Sequence, residues 1–123
     1  MNIGKLISVE FDKFRIRLYQ KSKTSTVSIE GHVYYFGNIG SYLKVKNPIG
    51  DSIICEVVAV LDQSAESKHY STFNLDSSRE LILKPIGTLL RDKTFNMGVG
   101  IFPSIYSDIY IVKNKDLETI LFS

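Results

Sequence analysis

The sequence predicts an all-β fold: a small antiparallel β-barrel, closed or nearly closed, of six to seven strands with a short C-terminal helix. Three observations predict it. Apolar and polar residues alternate over short stretches, the periodicity of half-buried strands. Turn residues, chiefly Gly, Pro, Asn and Asp, separate those stretches. Two long apolar stretches complete the pattern, and the second carries Pro and Gly where a strand must bend, which serves closure of a sheet into a cylinder and removes its exposed edges. At 123 residues, a single domain spanning residues 1–123 is expected.

Residues 5–19 read as a hairpin. Leu6 to Phe11 opens it, with Ile7, Val9 and Phe11 alternating against Leu6, Ser8 and Glu10. Asp12-Lys13 is a polar break, and Phe14 to Tyr19 returns with Phe14, Ile16 and Leu18 facing the core. Gln20 to Ser25 is a polar loop. Thr26 to Ile29 is a short strand ending at Glu30-Gly31, and the aromatic-rich His32 to Phe36 is extended as well. Gly37-Asn38-Ile39-Gly40 makes a turn. Tyr42 to Lys46 is a short strand, closed by the turn Asn47-Pro48-Ile49-Gly50-Asp51. Ser52 to Leu61 is the most apolar stretch, interrupted by Glu56, and its β-branched residues argue for a central strand over a helix. Asp62 to Asp76 is a polar loop. Ser78 to Asp92 forms a second long strand, in which Pro85 and Gly87 mark a bulge or bend because proline cannot donate to the ladder. Thr94 to Pro103 is irregular and glycine-spaced. Asp108 to Val112 is the last strand, and Asn114 caps a helix over Lys115 to Phe122, with Glu118 near its start.

Composition narrows the function classes. With 44% hydrophobic and 23% charged residues the chain is globular rather than disordered or fibrous. One cysteine, Cys55, allows neither an internal disulfide nor a zinc site with two thiolates. No apolar run approaches the ~18 residues of a membrane-spanning helix. Met1 to Lys5 lacks the apolar core of a signal peptide, so a reducing cytoplasmic location is the default expectation. No Walker A loop, metal cluster or nucleophile elbow has its required spacing. Cys55 lies in the most apolar run and reads as a structural thiol. His32 and His69 each lack a companion at ligand spacing. Asp12, Asp51 and Asp62 sit at turns, where Asp serves the backbone, and Gly37, Gly40 and Gly50 lack the helix and lysine of a phosphate cradle. No catalytic, cofactor-binding or metal-binding residue is assigned, and an enzyme is the weakest reading.

Charge and aromatics supply the binding candidates. Fifteen Lys and Arg against thirteen Asp and Glu give a net charge of +2. The one basic cluster is Lys13, Arg15, Arg17, Lys21 and Lys23. On a strand, Lys13, Arg15 and Arg17 share a face, which makes them candidate contacts to nucleic-acid phosphates. The same pattern is also the wet face of a half-buried strand, or an edge protected by charge. The mild overall bias and the lack of interleaved aromatics favour that second reading. Tyr34, Tyr35 and Phe36 form the densest aromatic run; alternation keeps them from sharing one core, so at least one is exposed or covered by another subunit. Phe102, Pro103, Ile105 and Tyr106 form a similar apolar loop, which makes Ile101 to Tyr110 the second candidate interface.

Gly4-Lys5-Leu6-Ile7-Ser8-Val9-Glu10 followed by Phe14-Arg15-Ile16-Arg17-Leu18 resembles the opening hairpin of the HAS barrel, the N-terminal β-barrel shared by HerA-type ring translocases and F-type ATP synthase subunits. Ile39 to Val45, Ile54 to Leu61, Leu81 to Leu89, Phe95 to Pro103, and Asp108 to Val112 with the segment Asp116 to Leu121 are similar to the family's later elements in their order. The resemblance implies a hexameric, DNA-translocating ATPase whose barrels crown the ring. There they dock a nuclease or, in bacterial anti-phage systems, a sirtuin-like or other effector subunit. The sequence reaches Ser123 without a Gly-x-x-x-x-Gly-Lys-Ser/Thr motif, so ATP and magnesium are expected only in an ATPase domain downstream. The chain is thus expected to be an isolated N-terminal domain or a piece of a longer protein. It would be a non-catalytic barrel for hexamer assembly and effector docking, with no membrane contact. The alternative is a stand-alone small-barrel module that binds nucleic acid.

Overall fold

The computed structural model describes residues 2–19, 26–62 and 79–121. Within them lie the strands β1 (Asn2–Val9), β2 (Phe14–Leu18), β3 (Thr26–Ile29), β4 (His32–Tyr35), β5 (Tyr42–Lys46), β6 (Ser52–Asp62), β7 (Arg79–Leu89), β8 (Phe95–Met97) and β9 (Asp108–Ile111). A single helix, α1 (Asn114–Leu121), follows them.

Every described pairing is antiparallel. Along the hydrogen bonds β1 neighbours β9, then come β5, β6, β7 and β2, and β2 returns to β1. These six strands close a barrel, as the alternating pattern predicts. β8 adds to β7 as an extra strand, and β3 and β4 form a separate pair. The latter hairpin turns through Glu30 and Gly31, both at positive φ (53° and 82°), the two-residue geometry that suits twisted strands.

Closure depends on β7 changing partner along its length. Glu80 to Leu83 pair with β2, whereas Gly87 to Leu89 pair with β8. Pro85 stands at the changeover, and the register with β6 slips there between Ile54 and Cys55 and again between Val57 and Ala59. These irregularities bend the two long strands, as Pro85 and Gly87 lead one to expect. Gly87 answers a second demand: a Cβ there would stand 2.5 Å from the Asn96 carbonyl oxygen and from the Phe95 ring.

The interior is filled by alternate residues, among them Phe14, Ile16 and Leu18 of β2, Leu43 and Val45 of β5, and Ile53, Cys55 and Val57 of β6. A second cluster lies outside the barrel, where Ile54, Leu89 and Val112 are covered by Leu117 and Ile120 of α1, with Tyr42 and Phe95 beside them. Ser52 to Leu61 is therefore apolar at both parities, because part of its outer face lies under the helix.

Several local expectations are corrected. Ile7 sits in a register shift between Leu6 and Ser8, so the facing of β1 flips. Leu6 is buried, Ile7 and Val9 are half-buried, and Phe11 lies beyond the strand in the turn. The segment from Thr94 contains a short strand, β8, held by the Gly87–Leu89 edge. Asp62 ends β6 instead of opening a loop. The Lys113 carbonyl accepts the Leu117 N–H at 3.0 Å, which makes Lys113 the cap residue in place of Asn114. The Asn114 N–H is instead met by the Tyr34 hydroxyl oxygen at 3.3 Å. Lys21, Lys23, His69, Phe122 and residues 63–76 of the expected loop lie outside the described residues. No helix among the described residues is long and apolar enough to cross a membrane.

Candidate docking surface at one end of the barrel

Register places the turns. Gly4 of β1 and Val45 of β5 both pair with Ile109 of β9, so β1 and β5 run in the same direction. The β1–β2 turn carrying Phe11 and the β5–β6 turn over Asn47–Asp51 therefore lie at the same end of the barrel. The segment between β8 and β9 joins them there: the Leu6 N–H donates to the Ser107 carbonyl at 2.9 Å, and the Tyr106 N–H donates to the Leu6 carbonyl at 2.6 Å.

Aromatic rings step outward from the core at this end. Phe14 is fully buried; the half-buried Phe102 meets it edge-on at 6.2 Å and meets Phe11 at 6.3 Å. Phe11 is 85% exposed, and Met97, Ile101, Ile105 and Tyr106 are exposed on the same segment and its approach. Tyr106 holds a positive φ of 73°, a region in which a side chain of its size is uncommon. Backbone hydrogen bonds fix this segment, so its apolar side chains are free to point at solvent.

A polar mouth adjoins these residues. The Asn47 Oδ1 accepts the N–H groups of Ile49 at 3.1 Å and Asp51 at 3.0 Å. The Asp51 Oδ1 accepts the Arg91 N–H at 3.1 Å, and the Thr88 hydroxyl donates to the Gly98 carbonyl at 3.0 Å.

The other candidates lie elsewhere. Tyr34 and Tyr35 belong to the β3–β4 hairpin at the opposite end, near the start of α1. Tyr34 is half-buried against the core, and Tyr35 is 63% exposed beside the exposed Val33. Phe36, expected at the same interface, is a core residue only 1% exposed, because the chain turns inward once β4 ends. The structure thus separates the two predicted aromatic groups, and it adds Phe11 and Met97 to the second. Phe11 was missed because the alternation carries the first strand through it, in one row with Ile7 and Val9. The polar break at Asp12-Lys13 was the available signal that the strand ends before it.

Arg15 and Arg17 do share an exposed face, yet both reach the same carboxylate. Glu80, only 2% exposed, receives the Arg17 Nη2 at 2.8 Å and the Arg15 Nε at 3.4 Å. Lys13 stands 3.9 Å from Glu10. The pairing continues around the barrel with Lys5 and Asp108 at 2.6 Å and Lys44 and Asp116 at 3.2 Å. The basic stripe is one part of a set of ion pairs that join β2 to β7, β1 to β9 and β5 to α1.

Among the described residues no cluster of chemistry-bearing groups forms. Burial pushes the Cys55 thiol up, which disfavours the nucleophilic thiolate. His32 is exposed, its ring 6.3 Å from that of Tyr34. Among the described residues no three His, Cys, Asp or Glu side chains come together as a metal site. No family model matches the chain, and no curated protein matches it.

Proposed function

We propose that the chain is a non-catalytic assembly and docking barrel, in the role that HAS barrels play on HerA-type translocases. In this reading it joins copies of itself into a ring, six in the full protein, and presents a face to a nuclease or other effector subunit, as in anti-phage systems. The DNA-translocating motor, with its ATP and magnesium, belongs to a domain downstream. The observation that carries the reading is Phe11, 85% exposed and tilted against Phe102 at 6.3 Å, the latter on a segment that also exposes Ile101, Ile105 and Tyr106. Grouped apolar side chains of this size on a rigid scaffold suit burial by another subunit. Ring symmetry then multiplies a weak contact into a stable assembly. Nucleic-acid binding draws less support, because Arg15 and Arg17 share Glu80 and Lys13 faces Glu10, which lowers the net charge the stripe offers to phosphate.

Phe11→Asp tests the reading, since a side chain this exposed can change without disturbing the core. Light scattering at rising concentration should give wild-type particles heavier than the 13.9 kDa chain and should move the variant toward that mass. Tyr35→Asp reports on the hairpin at the opposite end. A wild-type protein that stays monomeric, or assembly unchanged in both variants, overturns the proposal.

A further inference from the structure

Asn47 is 6% exposed, and its side-chain oxygen is committed to the turn through the N–H groups of Ile49 and Asp51. Those two bonds fix the orientation of the amide and leave Nδ2 with two hydrogens that no described residue accepts. Asp51, 8% exposed, has the complementary surplus. Its Oδ1 takes the Arg91 N–H at 3.1 Å and lies 3.9 Å from the Arg91 Nε, while the second carboxylate oxygen meets no described donor. Both residues line one depression at the barrel mouth, bordered by Thr88, Met97 and Ile101. Buried polar groups are nearly always partnered, so a donor and an acceptor left over in one depression call for an explanation. Barrel mouths are a recurrent place for binding sites.

A donor and an acceptor lining one depression, flanked by apolar side chains, match the C=O and N–H that one residue of an extended segment turns to the same side. We propose that the mouth binds an extended peptide segment of a protein partner through the N–H and C=O of one of its residues. The segment's carbonyl accepts from Asn47 Nδ2, and its N–H donates to the free Asp51 oxygen. Its apolar side chains lie against Met97 and Ile101, both exposed. β8 pairs with β7 alone among the described strands, so its other edge is open to the same segment. The proposal deepens the docking reading of this end and rests on it, but it does not require the chain to associate with itself.

Titration of the chain with N-acetyl-leucine N-methylamide, followed by amide NMR, tests it. Saturating shifts are expected at the Asn47 side-chain NH2 and at the Gly98 and Ile101 amides. Asn47→Asp keeps the oxygen that holds the turn and replaces the NH2 group. Asp51→Asn keeps the acceptor for Arg91 and replaces the free oxygen. Each should weaken binding about tenfold, the loss of one hydrogen bond to a buried partner. Their dispersed spectra report folding, and either variant alone suffices. Wild-type shifts that do not saturate, or binding unchanged in a folded variant, overturn the proposal and leave the mouth to water. A monomeric protein that still binds the probe sinks the self-assembly reading and spares this one; an assembling protein that ignores the probe does the reverse.

Discussion

Lys5 Nζ lies 2.6 Å from the Asp108 carboxylate, across the seam between β1 and β9. The hydrogen bond with Lys5 holds the Asp108 carboxyl below the usual carboxylate range, and the same bond raises the Lys5 ammonium. Both groups face solvent, which screens the energy but not its sign. A carboxyl with a depressed folded value stabilises the fold above its unfolded value, near pH 4. That contribution is lost as pH falls through the folded value. The raised lysine contributes below its unfolded value, near 10.4, and loses that contribution as pH rises through its folded value. Asp108→Asn should therefore be less stable than wild type at neutral pH, with the gap closing below about pH 4. Urea midpoints across that range check it, and a gap that stays constant with pH would show that the pair is idle. At this scale the sequence was legible wherever alternation decides. Arg15 and Arg17 point outward between buried Phe14, Ile16 and Leu18, as read. Their partner was not legible, because Glu80 lies 63 residues from Arg17 and reaches it only through a long-range strand pairing.

Strand positions follow from local pattern; strand facing does not. β2, β3, β5 and β6 begin and end within a residue of where alternation and turn chemistry put them. A single extra residue reverses every side chain that follows it, however, and nothing in the composition around Ile7 marks the shift. Pro85 and Gly87 were more informative, since both residue types carry a backbone meaning that survives without context. Gly87 yields the prediction for this scale. An alanine Cβ would press on the Asn96 carbonyl oxygen and the Phe95 ring, so β8 must move off β7 and the ring must shift in the cluster beneath α1. Gly87→Ala is expected to destabilise the fold by about 1–3 kcal/mol, the range for overpacking a filled site. Thermal denaturation measures it, and an unchanged melting temperature would mean that β8 is not held against β7 at that distance.

Closure is a property of the whole barrel, and the β2–β7 seam supplies it through four facing pairs from Phe14 and Leu83 to Arg17 and Glu80. Without that seam the sheet regains two edges, each able to template pairing with another chain. Glu80 is nearly inaccessible to solvent, and the Arg15 and Arg17 guanidiniums lie against its carboxylate. Replacing both Arg15 and Arg17 by alanine strips two partners from a buried carboxylate, a loss of about 1.5–3 kcal/mol from charged hydrogen bonds. The double variant should exchange the amides of β2 and β7 faster than those of β5 and β6, and it should aggregate more readily on warming. This outcome separates the two readings of the basic stripe. If the arginines serve the barrel, stability and seam protection fall together, and the variant's affinity for duplex DNA at low salt matches wild type. If they serve phosphate, protection is unchanged while a salt-dependent affinity disappears. Hydrogen exchange on the double variant therefore decides whether the two arginines of β2 face a nucleic acid or lock the cylinder they belong to.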